Sequence, residues 1–284
     1  MRLLTLSMSA LALVLLAGCG GDDGDDVASN GSGGKLNIGG NGGSGNGGGS
    51  GGGINVGGGG SGDGGIAASG SGGDGYCGSK LTGTVRDFKI DHPDFEFTIA
   101  SDPGIVQTDL GADGKPVYAG QSGNPTTTGK AAFDQWFNDV SGVNQKTLLP
   151  IQLTKGAGNV YTYTNSAFFP IDGQLWGNEG NPHNFHFTFE LHTKFVYLGG
   201  EVFKFTGDDD LWVFVNKKLA IDLGGVHGAM DGQVDLDAKA GELGIQKGQP
   251  YPLDFFFAER HTSESNFRID TTIASFVDCG PIVQ

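Results

Sequence analysis

From about residue 80 almost to its end, the chain shows short bursts of alternating apolar and polar positions. The strictest burst sets Phe185, Phe187, Phe189 and Leu191 against His186, Thr188, Glu190 and His192, so a strand there faces a core with one set and presents a polar outer face with the other. Residues 81–88 and 95–99 read as short strands or extended arms around the His92-Pro93 turn. Residues 197–205, 211–215, 232–237, 251–257 and 266–273 continue the series between glycine-rich turns. The period changes in one place only. Phe133, Trp136, Phe137 and Val140 fall at i, i+3, i+4 and i+7, which predicts a helix within 126–142, with threonines to cap its start and Gly142 to stop it. Many short strands with one short helix predict a mainly β domain, an antiparallel barrel or sandwich.

The pattern is interrupted most sharply between Phe203/Phe205 and Leu211/Val213/Val215, where Asp208, Asp209 and Asp210 stand side by side. Adjacent like charges repel and aspartate has low strand propensity, so the three acids are expected on a loop between two strands. A solvated acidic turn is one reading. A calcium site is the other, because that ion takes six to eight oxygen ligands and relieves the repulsion. Trp212 points opposite to Leu211 and Val213, where it either packs in the core or stacks on a sugar face. Two further loops carry polar groups: 222–228, where Gly225 and His227 bring backbone close to a ligand, and 259–266, with Glu259, Arg260, His261 and Asn266. The first lacks a lysine and a following helix, so it is no phosphate loop. His186, Glu190 and His192 share a strand face but spread over about 20 Å, too far for one zinc ion.

Composition sets the rest of the chain apart. Of 284 residues, 54 are glycine, and most of the excess precedes Tyr76. Residues 1–18 hold Arg2, an apolar stretch over 11–16 and Leu16-Ala17-Gly18 before Cys19: a signal peptide ending in a bacterial lipobox, with Cys19 as the lipidated residue. An ordinary signal peptide with a coincidental cysteine is the alternative, and the apolar run is too short for a membrane span. Residues 19–75 then read as a disordered tether of glycine, serine and asparagine, with a root-mean-square reach on the order of 40 Å. The domain occupies 76–284. Cys77 and Cys279 flank its patterned part, and in an exported protein they are expected to pair and clasp its ends, with free thiols or intermolecular pairing as the alternatives. A formal charge of −15 argues against nucleic acid and anionic membrane surfaces as ligands, and suits cations and neutral sugars. The lipid anchor places the chain at the bacterial outer membrane or cell surface.

Together, residues 205–216 (Phe-Thr-Gly-Asp-Asp-Asp-Leu-Trp-Val-Phe-Val-Asn), 222–228, 253–262 and 265–269 resemble the fibro-slime domain family, as do 84–88, 92–96 and 168–172. That family is similar to the protective-antigen β-barrel superfamily of microbial adhesins, glycosidases and toxins. The resemblance implies a β-barrel whose acidic loop binds Ca2+ through an Asp-Asp pair with a cis peptide, the ion bridging to sugar hydroxyls. Counting back from Asn216, Asp208 and Asp209 fall on the pair, and Asp210 stands where glycine is usual. The expected function is a calcium-dependent, carbohydrate-binding adhesion module. The competing reading is a structural or protein-binding envelope module that calcium only stiffens. Catalysis is not expected: no spacing singles out a carboxylate pair for glycoside hydrolysis, and no Ser-His or Cys-His arrangement is present.

Overall fold

Two antiparallel sheets share one core, and the larger has a second core on its other face. The computed structural model describes residues 76–120, 125–274 and 276–278, all within one unit, Ala68–Gln284. In chain order the elements are β1 (Tyr76–Gly78), β2 (Lys80–Phe88), β3 (Ala100–Ser101), α1 (Lys130–Phe133), β4 (Asn144–Gln152), β5 (Thr154–Lys155) and β6 (Tyr161–Asn165). Then come β7 (Phe187–Tyr197), β8 (Val202–Gly207), β9 (Asp210–Val215), β10 (Lys218–Leu223), β11 (Gly225–Val226) and β12 (Met230–Asp235). The chain finishes with α2 (Leu236–Leu243), β13 (Gln249–Glu259), β14 (Phe267–Thr271) and β15 (Phe276–Val277).

The first sheet runs β1-β15-β7-β13-β9-β10, with β2 also paired to β7 and β4 to β2. The second runs β12-β8-β14-β6-β5, and β3 pairs with β11 apart from both. The main core lies between the two sheets: Phe187, Phe189, Leu211, Val213, Phe255 and Phe257 from the first meet Phe203, Phe205, Phe267 and Ile269 from the second. This is a sandwich; no barrel closes among the described residues.

The predicted polar outer face of β7 is a correction. His186, Thr188 and Glu190 are buried, at 2%, 0% and 4% exposure. The chain between β3 and β4 folds back over that face, and Ile105, Val106, Phe133, Trp136 and Phe137 pack there against Trp212, Phe214 and Phe256. Every side chain of β9 is therefore buried, and Trp212 is a core residue whose Nε1 donates to Asp222 Oδ1 at 3.0 Å.

The predicted helix also shrinks, to Lys130–Phe133. The Gln135 and Asn138 carbonyls accept from Asn144 Nδ2 and the Trp136 carbonyl from Thr188 Oγ1, so side chains take acceptors that a continuing helix would use. The expected aromatic face survives without it, since Phe133, Trp136 and Phe137 are all buried. A second helix, α2, was not expected. Asp235 caps its start by accepting from Ala238 N at 3.1 Å, and Gly244 ends it in the left-handed region. The signal peptide, Cys19 and the tether lie outside the described residues, as does the Cys77–Cys279 pairing, because Cys279 does.

Candidate functional site

Four connections pass from one sheet to the other at the same end of the sandwich: β6 to β7, and three that carry the acidic residues and their partners. Register fixes this: Asp210 pairs with Ala258 in the first sheet, while Gly207 pairs with both Met230 and Phe267 in the second. The crossings β8 to β9, β10 to β12 and β13 to β14 therefore lie together, and they carry Asp208–Asp209, Gly225–His227 and Arg260–Asn266.

They meet through backbone amides. Asp208 Oδ2 accepts from Asn266 N and Nδ2, both at 2.8 Å. Asp209 accepts from His227 N at 3.2 Å and Arg260 N at 2.7 Å. Asp210 accepts from Gly225 N at 2.7 Å and Arg260 Nε at 2.5 Å. Gly225 has φ +115°, and a Cβ there would lie 2.3 Å from the Ala100 carbonyl oxygen, so only glycine brings this amide to Asp210 beside β3. Arg260 is fully buried: its guanidinium also donates to the Asp94 and Thr126 carbonyls and lies 4.6 Å from the centre of the Trp136 ring. His227 faces the Gly228 and Leu223 carbonyls, and His261 Nε2 lies 3.3 Å from Glu96 Oε2.

The acids are enclosed rather than set on a solvated turn, with Asp208, Asp209 and Asp210 at 3%, 4% and 0% exposure. The expected cis bond is absent, since no cis peptide occurs among the described residues, and Asp209 instead takes φ +52°. Glu259 is fully buried beside them, and neither of its carboxylate oxygens meets a hydrogen-bond donor. The nearby Ser265 hydroxyl donates to the Phe168 carbonyl instead. Asp208 Oδ1 is likewise buried without a partner.

Burial raises the pKa of all four acids. Asp209 is pushed up to about 7, the Asp210 charge adding to burial against the pull of Arg260. Asp208 and Asp210 also rise, chiefly through burial. Glu259 is raised well above the usual carboxylate range by burial and by the charge of Asp209. The donor chemistry thus fits a hard cation: oxygen ligands, surplus negative charge and an oxygen with no other partner. It is not a ready cage, since no group of three or more His, Cys, Asp or Glu side chains converges for a metal among the described residues.

Of the residues singled out from sequence, the structure gathers Asp208, Asp209, Asp210, Gly225, His227, Glu259, Arg260, His261 and Asn266. Asn216 stands apart, in the β9–β10 turn roughly 20 Å away along β9, where its Nδ2 donates to the Leu243 carbonyl at the end of α2. Sequence reasoning missed Glu96, which receives Thr262 N at 2.8 Å and stands 3.0 Å from His186 Nε2.

A different charged cluster lies on the outer face of the first sheet. Glu190 meets Arg86 Nη1 at 2.7 Å, Lys115 Nζ at 2.5 Å and His192 Nε2 at 3.3 Å, and His192 Nδ1 lies 2.8 Å from Asp254. These groups line a cavity of about 150 Å³ together with Asp139 and Lys146, although Asp254 is not in its wall. Burial acts to raise the Glu190 pKa, but His192, Arg86 and Lys115 together hold it down at about 2.

Residues 158–281 match the PA14 domain model. The match takes in all four crossings and the whole carboxylate cluster, and leaves out β1 to β5. Among curated proteins the chain is similar to protein psiR of Dictyostelium discoideum, 43% identical over 211 residues, covering 66% of this chain and 21% of that one. It is also similar to protein psiD of the same organism, 43% identical over 195 residues, covering 62% of this chain and 38% of that one. The chain thus spans well under half the length of these relatives. Among solved structures it is similar to the PA14 domain of the antifreeze protein MpAFP, with 11% identity, a TM-score of 0.33 and coverage of 74% of this chain and 92% of that one.

Proposed function

We propose that this chain is a cell-surface lipoprotein of the fibro-slime type whose β domain binds neutral polysaccharide with the help of calcium, as a non-catalytic adhesion module. The observation that carries the reading is the buried, unpartnered Asp208 Oδ1 in a set of four carboxylates, one of which, Asp210, meets a guanidinium. The PA14 match to a carbohydrate-binding β-sandwich family supports it. Asn266 holds Oδ2 of Asp208 and so leaves Oδ1 to a cation, while Asp209 and Asp210 are fixed by the amides of His227, Arg260 and Gly225. Calcium, when bound, supplies positive charge and open coordination positions for vicinal hydroxyls. The lipid anchor at Cys19 and the glycine-rich segment after it belong to the proposal: a flexible arm keeps a weak binder at high effective concentration near its target.

A second reading has an observation of its own. All four carboxylate oxygens of Asp209 and Asp210 are already engaged inside the protein, as a site that only locks loops together would have them. Calorimetric titration of calcium into the full-length chain, wild type beside Asp208→Asn/Asp209→Asn, followed by a glycan array with and without chelator, separates the two. Calcium binding abolished by the double substitution, together with chelator-sensitive glycan signal, is the expected result. Calcium binding that raises Tm without glycan signal would replace the adhesin by the structural module.

A further inference from the structure

The stretch from Glu96 to Ser101 is pinned at both ends to the two loops that hold Asp209. At one end Glu96 N donates to the Arg260 carbonyl at 2.8 Å, and the Glu96 side chain receives Thr262 N at 2.8 Å. At the other, Ala100 and Ser101 pair with Val226 and Gly225, and Asp102 N donates to the Gly224 carbonyl at 2.7 Å. Glu96 adopts φ +54°, a left-handed conformation that a non-glycine residue holds only where its surroundings fix it. Between the clamps, Phe97 and Ile99 are 46% and 66% exposed. Large apolar side chains on a backbone held this firmly are not loose loop residues; they are presented to solvent on a stretch clamped to the loops that hold Asp209.

Phe97 and Ile99 line an open depression of about 760 Å³ together with Thr98, Ala100, Pro125, Thr127 and Thr128. Its size falls in the range of small-molecule sites. We infer that Phe97 and Ile99 form the apolar floor of a second sugar subsite, holding the pyranose ring next to the one whose hydroxyls reach the Asp208 site. The inference rests on the proposed carbohydrate-binding reading. A pyranose has an apolar C–H face that suits an aromatic ring and a hydroxyl edge that suits the exposed Thr98 beside it. The occupant is a neutral sugar, because a chain of formal charge −15 repels acidic ones. The floor comes from outside the PA14 match at 158–281, so it distinguishes this chain's site from what the matched residues alone would build.

The test uses the full-length chain with calcium, a printed array of neutral oligosaccharides, and calorimetry with the best neutral disaccharide and the methyl glycoside of its tighter-binding ring. Wild type is expected to prefer the disaccharide. Phe97→Ala/Ile99→Ala is expected to weaken the disaccharide about tenfold, leave the methyl glycoside and calcium affinities and Tm unchanged, and be matched by retention in Phe97→Tyr. Unchanged disaccharide affinity in the double variant overturns the subsite and leaves the calcium-dependent reading standing. A fall in calcium affinity or Tm makes the two residues structural and also overturns it. A blank array with wild type removes the carbohydrate-binding reading and the subsite with it.

Discussion

The two buried charged clusters of this domain solve the same problem in opposite ways. On the outer face of the first sheet, Glu190 sits among Arg86, Lys115 and His192, and its pKa falls to about 2. At the sheet crossings, the Arg260 guanidinium meets Asp210 but not Asp208, Asp209 or Glu259, and the pKa values of all four acids rise. Burial opposes ionisation in both places; the supply of positive charge decides the outcome. A cluster that closes its own account of charge is scaffolding. One left short of positive charge, with an orphaned oxygen, is where the proposed cation would bind.

The largest test of this contrast removes that guanidinium. Arg260→Met is expected to cost about 3–5 kcal/mol, read as the fall in urea-unfolding free energy in chelator, because it leaves Asp210 buried and unpaired. Glu190→Gln should cost less, about 2 kcal/mol in the same measurement, because Lys115 and His192 sit near enough to the surface to recruit water. The pH dependence should have opposite sign in the two clusters. Asp209 is raised in the folded state, so the folded chain holds more protons between about pH 4 and 7; without calcium its contribution to stability is present at low pH and is lost as pH rises through about 7. Glu190 is depressed, so its contribution is complete above the ordinary glutamate range and is lost as pH falls toward about 2. Urea midpoints across pH for wild type, Asp209→Asn and Glu190→Gln would assign each slope, and saturating calcium should flatten the first and leave the second. The smallest effect is expected from Glu259→Gln, which keeps the shape of a side chain whose burial already favours its neutral form. In chelator its stability should stay within about 1 kcal/mol of wild type.

The strands were largely legible because alternation encodes one buried face, and 251–257 and 211–215 became β13 and β9 almost unchanged. The second buried face was not. His186, Thr188 and Glu190 look like an outer surface until the non-repetitive chain between β3 and β4 is laid over them, and no local pattern announces that contact. β4 escaped notice because it lies at a sheet edge and buries only Ile151 fully, which leaves no alternation to read. α2 could have been found from Asp235 and Gly244 on either side of good helix formers. Of the site, the three aspartates stood out by themselves. Their enclosure did not, because it depends on amides from loops far apart in sequence, brought together only by strand register. Register also explains Asn216: the same strand that starts at Asp210 carries it to the opposite pole.

That polarity has a mechanical side. β1 joins the first sheet through β15, which pairs with β7 at Lys194 and Phe195, whereas the carboxylate cluster lies beyond the Phe187 end of β7. β1 thus lies about 25 Å from the crossings. Any pull between β1 and a ligand at the proposed Asp208 site would run lengthwise along β7, whose eleven residues are all paired with β13. Load in that direction shears many hydrogen bonds at once instead of unzipping them singly, the geometry in which a sheet resists tension best.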